Sequence, residues 1–136
     1  MTSSPRQRWS ESFADPSGEA FAQIIAADVE LDGSIFARPV HGRHAVWTTL
    51  RTAAGIYDSL AFTNDATGDG RVYLEWEATA LGMRINGITI LVPDDHGQFA
   101  KVAIHHRPLA AVLTFSAEMA RRLVDSPVAD RFYQAF

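Results

Sequence analysis

Two histidines stand side by side in the segment AKVAIHHRPLAAVLTF, where an alternating apolar pattern ends and a helical pattern begins after a proline. Imidazole suits acid or base chemistry at neutral pH, because its unperturbed pKa is about 6.5. Successive side chains of a strand point to opposite faces, so His105 and His106 cannot form one site in a regular strand. We expect His105 to face outwards beside Lys101. The apolar face is formed by Ala100, Val102, Ile104 and His106.

The inward-facing His106 has two interpretations. It is either an acid or base in a ligand cavity, or a structural residue whose ring is held by hydrogen bonds at the rim of the sheet. Six aromatic side chains at helical or strand spacing leave the same choice open, because they could line a cavity or fill a core. These are Trp9, Phe13, Phe21, Trp47, Phe62 and Trp76.

The composition excludes several classes of function. The chain has 136 residues, no cysteine and a formal net charge of −4. Its length predicts a single domain over residues 1–136. The missing cysteine excludes thiolate catalysis, and the negative charge argues against nucleic-acid binding. No metal or cofactor motif is present, and no signal peptide or membrane-spanning run is found, so we expect a cytoplasmic protein with no cofactor and no membrane partner.

Helical spacing predicts the elements at both ends of the chain. Trp9 and Phe13 indicate a short first helix, and the apolar positions from Phe21 continue a second helix as far as Asp28. A third helix is predicted from Arg43 to about Tyr57. Pro108 suits the first position of a fourth helix, and the segment VADRFYQAF could form a last short one.

Between the helices the pattern changes to a period of two. The segments LAFTNDA, RVYLEWEATA, GITILVP and FAKVAIHH predict four strands joined by short turns, and Val29–Leu31 could form a short strand before them. The resulting fold class is α+β. We expect a cone-shaped, curved antiparallel sheet with the N-terminal helices packed on its concave face and a C-terminal helix following the sheet.

Four segments in this order resemble the nuclear transport factor 2-like superfamily, in its SnoaL-like branch. They are FAQIIAADVEL, VHGRHAVWTTL, LEWEATALG and GITILVPDDHGQFAKV, and together they run from about Phe21 to His106. The resemblance implies a cone of curved sheet closed at its wide end by helices. Members include ketosteroid isomerases, limonene epoxide hydrolases, polyketide cyclases and binding modules without chemistry, so the fold alone does not give the activity.

The resemblance also implies candidate site residues. SnoaL-type cyclases use a histidine and an aspartate as acid and base in an apolar cavity, which here would pair His106 with Asp28 or Asp32. Ketosteroid isomerases carry a carboxylate base just after the first short strand, where this chain has Leu31 followed by Asp32. The glutamates of RVYLEWEATA alternate with its apolar residues, so we expect Glu75 and Glu77 outside the cone.

Two functions from different classes follow. The first is a protein that binds a small apolar molecule and could act on it as an acid/base isomerase, cyclase or hydrolase, which requires a cavity of roughly several hundred Å³. The alternative is a noncatalytic binding or dimerisation module of the same fold. We expect a homodimer in either case, because the outer sheet face would leave an apolar patch in a monomer. The residues assigned to that face are Tyr73, Thr79, Thr89 and Leu91.

Overall fold

Four helices and six strands follow one another in the computed structural model, which describes residues 4–133. The helices are α1 (Pro5–Ala14), α2 (Glu19–Ile24), α3 (Arg43–Ala54) and α4 (Leu109–Arg122), and a 3₁₀ turn covers Ala129–Arg131. The strands are β1 (Ile25–Gly33), β2 (Val40–His41), β3 (Tyr57–Gly68), β4 (Arg71–Ala80), β5 (Met83–Pro93) and β6 (Phe99–Arg107). This confirms the predicted α+β class. The predicted last helix is only the 3₁₀ turn, and residues 134–136 lie outside the described part.

The six strands form one curved, open sheet in the order β2-β1-β6-β5-β4-β3. Strands β3 to β6 are the predicted antiparallel meander, joined by short turns. Strand β1 pairs parallel to β6, so the sheet is mixed and not wholly antiparallel. A parallel pair needs a long connection between its strands, and here the chain between β1 and β6 supplies α3 and the whole meander.

Strand β1 begins where the sequence analysis predicted a continuing helix. Helix α2 ends at Ile24, and from there Val29 and Leu31 are buried while Asp28 and Asp32 are exposed. This is the alternation of a half-buried strand, and the pairing with β6 satisfies its backbone groups. The longer strand replaces the last turn of the predicted helix.

Strand β4 confirms the predicted two-faced pattern, with its glutamates exposed on the outer face. Its buried residues are Val72, Leu74, Trp76, Ala78 and Ala80. Strand β6 likewise buries His106 and exposes His105, as predicted. The prediction for β5 was wrong, because Thr89 and Leu91 pair with Leu74 and Val72 and are buried with them on the inner face.

The helices cover the inner face of the sheet and bury one side each. Helix α1 starts with a capping box, in which Ser4 Oγ accepts from the Gln7 backbone N–H and Gln7 Oε1 accepts from the Ser4 backbone N–H. Trp9 is its buried anchor, with 1% of its surface exposed. In α4 the buried residues recur at helical spacing, as predicted from the apolar pattern. They are Ala111, Val112, Phe115, Ser116 and Met119.

Gly87 allows the large Trp76 side chain to lie flat against the sheet. The two residues are cross-strand partners on the inner face, and His106 is the partner of Gly87 on its other side. A Cβ added at Gly87 would stand 2.1 Å from Cζ2 of Trp76 and 2.6 Å from the backbone oxygen of His105. The indole therefore occupies the space that any other side chain at position 87 would need.

We predict that Gly87→Ala destabilises the protein by about 1–3 kcal/mol, because the added methyl group overpacks the contact between Trp76 and the backbone of β6. Urea unfolding followed by tryptophan fluorescence measures the change. Gly68→Ala is the matched control, since a Cβ there meets nothing within 4 Å, and we expect it to change stability by less than about 0.5 kcal/mol. Equal stability of the two variants would contradict the packing described.

Candidate functional site

A small cavity lies between the inner face of the sheet and helices α1, α3 and α4. Its volume is about 20 Å³, which is room for about one water molecule. Most of its lining is apolar, and the polar side chains that reach it are Thr49, Tyr57, Thr89 and His106. The apolar lining residues are Trp9, Phe13, Ile35, Phe36, Leu50, Ala53, Leu60, Phe62, Trp76, Ile104 and Met119.

His106 is held at the end of β6 by its backbone and by three aromatic rings. Its backbone N–H donates to Ser34 Oγ at 2.6 Å, which extends the ladder beyond the last β1 pair. The centroid of its ring lies 5.0 Å from those of Trp76 and Phe115. The ring of Tyr57 lies parallel to it at 6.1 Å. Only 7% of the His106 surface is exposed, so the imidazole is part of the core as well as of the cavity wall.

Tyr57 and His106 form a hydrogen-bonded pair. The Tyr57 hydroxyl lies 2.5 Å from Nε2 of His106. The sequence analysis placed Tyr57 at the end of the third helix, but α3 ends at Ala54 and Tyr57 is the first residue of β3. Gly55, directly after the helix, was the available signal, because glycine commonly follows the last helical turn. The pair joins the two ends of the meander, β3 and β6.

Both members of the pair are uncharged at neutral pH. Burial, together with a smaller charge repulsion from the neighbouring His105, lowers the pKa of His106 to about 4. Burial also raises the pKa of Tyr57 well above its usual value of 10.0, because a phenolate would be poorly solvated there. The cavity therefore presents two neutral hydrogen-bonding groups and not an ion pair.

One nitrogen of the His106 ring has no hydrogen-bond partner within residues 4–133. Nδ1 is buried and unpaired, whereas Nε2 is engaged by Tyr57. A neutral imidazole has one donor and one acceptor nitrogen, so the ring keeps an unused hydrogen-bonding position in either tautomer. A buried polar atom of this kind costs about 1–3 kcal/mol when it stays unpaired.

The polar groups of Trp76, Thr89 and Thr49 in the lining are already hydrogen-bonded. Trp76 Nε1–H donates to Thr89 Oγ1 at 3.1 Å. The Thr49 hydroxyl donates to the carbonyl oxygen of Ala45 at 2.8 Å, inside its own helix. Tyr57 and His106 therefore form the polar centre of an otherwise apolar cavity.

The structure does not bring Asp28 or Asp32 to His106. Both carboxylates are exposed on the outer side of β1, because Val29 and Leu31 occupy the inward positions. Asp32 Oδ1 instead accepts from the backbone N–H of Gly33 at 2.8 Å. Neither aspartate lines the cavity, and Tyr57 is the hydrogen-bond partner of His106 that the sequence pattern did not indicate.

Four of the six predicted aromatic residues line the cavity: Trp9, Phe13, Phe62 and Trp76. Phe21 and Trp47 do not. Their rings pack against each other at 5.0 Å, and both line a second small pocket beside α3 instead. The 3.6-residue period predicted an apolar face for each helix but not which part of it meets the cavity.

Within residues 4–133, no group of three or more histidine, aspartate or glutamate side chains is arranged to hold a metal ion. No helix between residues 4 and 133 is both long enough and apolar enough to cross a membrane.

Comparison with known proteins identifies the fold. No protein-family model matches the sequence, and no curated protein matches it. A steroid delta-isomerase from Pseudomonas aeruginosa is similar in structure, with a TM-score of 0.79 and 22% identity, over 88% of this chain and 89% of that chain. An uncharacterized protein with a cystatin-like fold from Silicibacter pomeroyi is also similar, with a TM-score of 0.81 and 16% identity. The match covers 89% of this chain and 86% of that chain.

A third structure is a protein with a ketosteroid isomerase-like fold from Catenulispora acidiphila, in complex with trimethylamine. Its TM-score is 0.63 at 14% identity, over 84% of this chain and 94% of that chain. At these identities the likeness concerns the fold alone. The chain has the fold of the nuclear transport factor 2-like superfamily, in its ketosteroid isomerase-like form.

Proposed function

We propose that this protein binds a small, uncharged, largely apolar molecule that carries one hydrogen-bonding group, such as a carbonyl or a hydroxyl. The observation that carries the proposal is the Tyr57–His106 pair, with its unused ring nitrogen, in a cavity lined by aromatic and aliphatic side chains. A site of this composition holds a ligand by apolar contact and orients it by a few polar groups. A ligand oxygen would meet the pair in surroundings that strengthen a hydrogen bond.

The neutrality of the pair defines the charge of the ligand. An anionic or cationic group would have to move from water into an apolar cavity that holds no opposite charge. The free energy of this desolvation is far larger than the free energy gained from one hydrogen bond. Desolvation of a neutral carbonyl or hydroxyl costs less free energy, and the group gains a hydrogen bond to the Tyr57–His106 pair. The preferred ligand is therefore neutral at its buried end.

An acid/base isomerase is the second candidate. The short hydrogen bond between Tyr57 and His106 favours it, because such a pair can donate to an oxygen that gains negative charge as a proton moves from one carbon to another. A histidine with a pKa of about 4 is a weak base, and no carboxylate within residues 4–133 lines the cavity. Conversion of 3-cyclohexenone to its conjugated isomer above the buffer rate would favour this candidate over simple binding.

We predict that the protein binds cyclohexanone more tightly than methylenecyclohexane, which has a similar shape and no oxygen. Tyr57→Phe and His106→Gln should each lose about tenfold or more of the ketone affinity, because one lost hydrogen bond to a buried oxygen costs about 1–3 kcal/mol. Tryptophan fluorescence titration measures both affinities, since Trp9 and Trp76 line the cavity.

The matched controls for the ketone experiment are Tyr133→Phe and His96→Gln, which change exposed residues away from the cavity. Both should keep the preference for the ketone. Equal affinity of wild-type protein for the two probes would exclude a polar role for the pair. A ketone preference that is retained in both Tyr57→Phe and His106→Gln would also exclude a polar role for the pair.

We predict that His106 makes the protein less stable in mild acid. Its pKa is about 4 in the folded protein against 6.5 for the free side chain, so between these values the unfolded chain binds the additional proton. Stability is therefore complete above about pH 6.5 and is lost as the pH falls toward 4, by about 2 kcal/mol between pH 7 and pH 5.

Urea unfolding at pH 7 and pH 5 tests this dependence. In His106→Gln most of this pH dependence should disappear, because glutamine does not titrate. His96→Gln should be destabilised on acidification as much as the wild type. Identical pH dependence in wild type and His106→Gln would show that the folded state does not hold a neutral imidazole at position 106.

We also propose that the outer face of the sheet joins a second copy of the chain. Tyr73, Ile88, Ile90 and Val92 are half-buried neighbours on β4 and β5, and they form an apolar centre on that face. The polar residues Glu75, Lys101 and His105 surround it. An apolar patch with a polar rim is typical of a protein–protein interface.

We expect light scattering to give twice the 14.9 kDa of one chain at tens of micromolar protein. Ile90→Glu should halve that mass, because two buried carboxylates would face the apolar centre. Leu113→Glu changes an exposed leucine of α4 and should leave the mass unchanged. A wild-type mass near 14.9 kDa would contradict the proposed dimer.

A further inference from the structure

The cavity is too small for the ligand class just proposed. A volume of about 20 Å³ holds about one water molecule, whereas small-molecule sites measure about 300–1,000 Å³. Binding therefore requires part of the wall to move. A wall residue can move most easily where open space lies on its outer side.

An open groove lies directly outside one part of the wall. Its volume is about 400 Å³, within the range of small-molecule sites. Four of its lining residues also line the cavity, so their side chains separate the two spaces: Phe13, Tyr57, Leu60 and Phe62. The rest of the groove is formed by Ser10, Ala14, Ala54, Asp58 and Ser59.

The strand side of this partition has few restraints. Strand β3 is an edge strand, paired only with β4 within residues 4–133. Its register with β4 shifts between Tyr57 and Ser59 and again between Phe62 and Asn64, on both sides of Leu60. Irregularities of this kind interrupt the ladder, so the regularly paired stretch around Leu60 is only the four residues Ser59–Phe62.

The helix side is held by two arginines. Arg6 at the start of α1 bonds to the Asp65 carboxylate at 3.1 Å and to the carbonyl oxygen of Phe62. Arg51 of α3 donates to the carbonyl oxygen of Phe13 at 3.1 Å. These contacts keep Phe13 against Leu60 and Phe62 and so keep the cavity closed.

From these contacts we infer that Phe13, Leu60 and Phe62 form a gate, and that the bound ligand extends through it from the Tyr57–His106 pair into the outer groove. This inference rests on the proposed binding function and specifies its ligand. The ligand is elongated, with a carbonyl or hydroxyl at the buried end and an apolar body between the gate side chains. Its outer end lies beside Asp58.

Asp58 determines the preferred charge of the outer end. It is the one charged side chain among the residues that line the groove, and it is exposed to water. A carboxylate in that position attracts a protonated amine and repels a second carboxylate. Exposed ion pairs contribute about 0.2–1 kcal/mol, so the expected preference for an amine is up to about fivefold.

Three ketone probes test the extent of the site. They are 4-phenylcyclohexanone and its derivatives with an aminomethyl or a carboxylate group at the far end of the phenyl ring. We expect 4-phenylcyclohexanone to bind more tightly than cyclohexanone, and the amine to bind more tightly than the carboxylate. Asp58→Asn should remove the preference for the amine, whereas Asp69→Asn, in the exposed β3–β4 turn, should keep it.

Stopped-flow fluorescence tests the gate. The Arg6 contacts stabilise the closed gate of the free protein, so Arg6→Ala should raise the association rate constant of 4-phenylcyclohexanone more than its dissociation rate constant and increase the affinity. Phe13→Ala should raise the association rate constant about fivefold or more. Arg38→Ala removes another exposed arginine–aspartate pair, with Asp130, and should change neither rate.

The outcomes separate this inference from the proposed function. If cyclohexanone binds and depends on Tyr57 and His106, but 4-phenylcyclohexanone does not bind, the proposed function stands and the extended site is wrong. If the long ketone binds and neither Arg6→Ala nor Phe13→Ala changes a rate constant, the gate is wrong. If neither ketone binds, both proposals fail.

Discussion

The packing of Trp76 across the backbone of Gly87 is the constraint on which the interior depends. Phe62, Trp76, Gly87 and His106 form one row across the inner face, through successive pairs of β3, β4, β5 and β6. Only glycine leaves room for the indole in that row. The indole ring in turn contacts His106, and its N–H donates to Thr89. The absence of a side chain at Gly87 therefore determines the shape of the cavity.

The Tyr57–His106 pair is the chemical consequence of that packing. An imidazole enclosed by Trp76, Tyr57 and Phe115 is largely shielded from water, so a charge on it is poorly solvated and its pKa falls. The same surroundings keep the tyrosine protonated. What remains is a fixed arrangement of hydrogen-bonding groups, suited to recognising an oxygen atom more than to removing a proton.

Much of the fold could be predicted from the sequence because its signals are local. Alternation in β4 and β6 predicted which residues face inwards, including the opposite directions of His105 and His106. Asp28 was misplaced because Ile24, Ile25 and Asp28 fit a helical period although the chain changes to a strand at Ile25. Tyr57 was missed as a site residue for the same reason, since it continues the apolar stripe of α3 across the helix end.

The site itself could be predicted only in part. Trp9, Phe13, Phe62 and Trp76 were expected around a cavity, but its size depends on how side chains from three helices and four strands fit together. No spacing rule within one element describes that fit. The pairing of Tyr57 with His106 joins residues from opposite ends of the meander, and the register of four strands decides it.

The parallel pairing of β1 with β6 has a consequence for the order of folding. Strands β3 to β6 are neighbours in sequence and can pair through short loops, which cost little chain entropy and close quickly. Strand β2 can pair with one edge of β1 early, but the other edge of β1 must wait for β6, which is the last strand made. A ribosome-bound chain therefore carries β1 with one edge unpaired through most of its synthesis. The exposed Asp28 and Asp32, which take no part in the cavity, place charge on that strand during the interval in which it is most open to pairing with another chain.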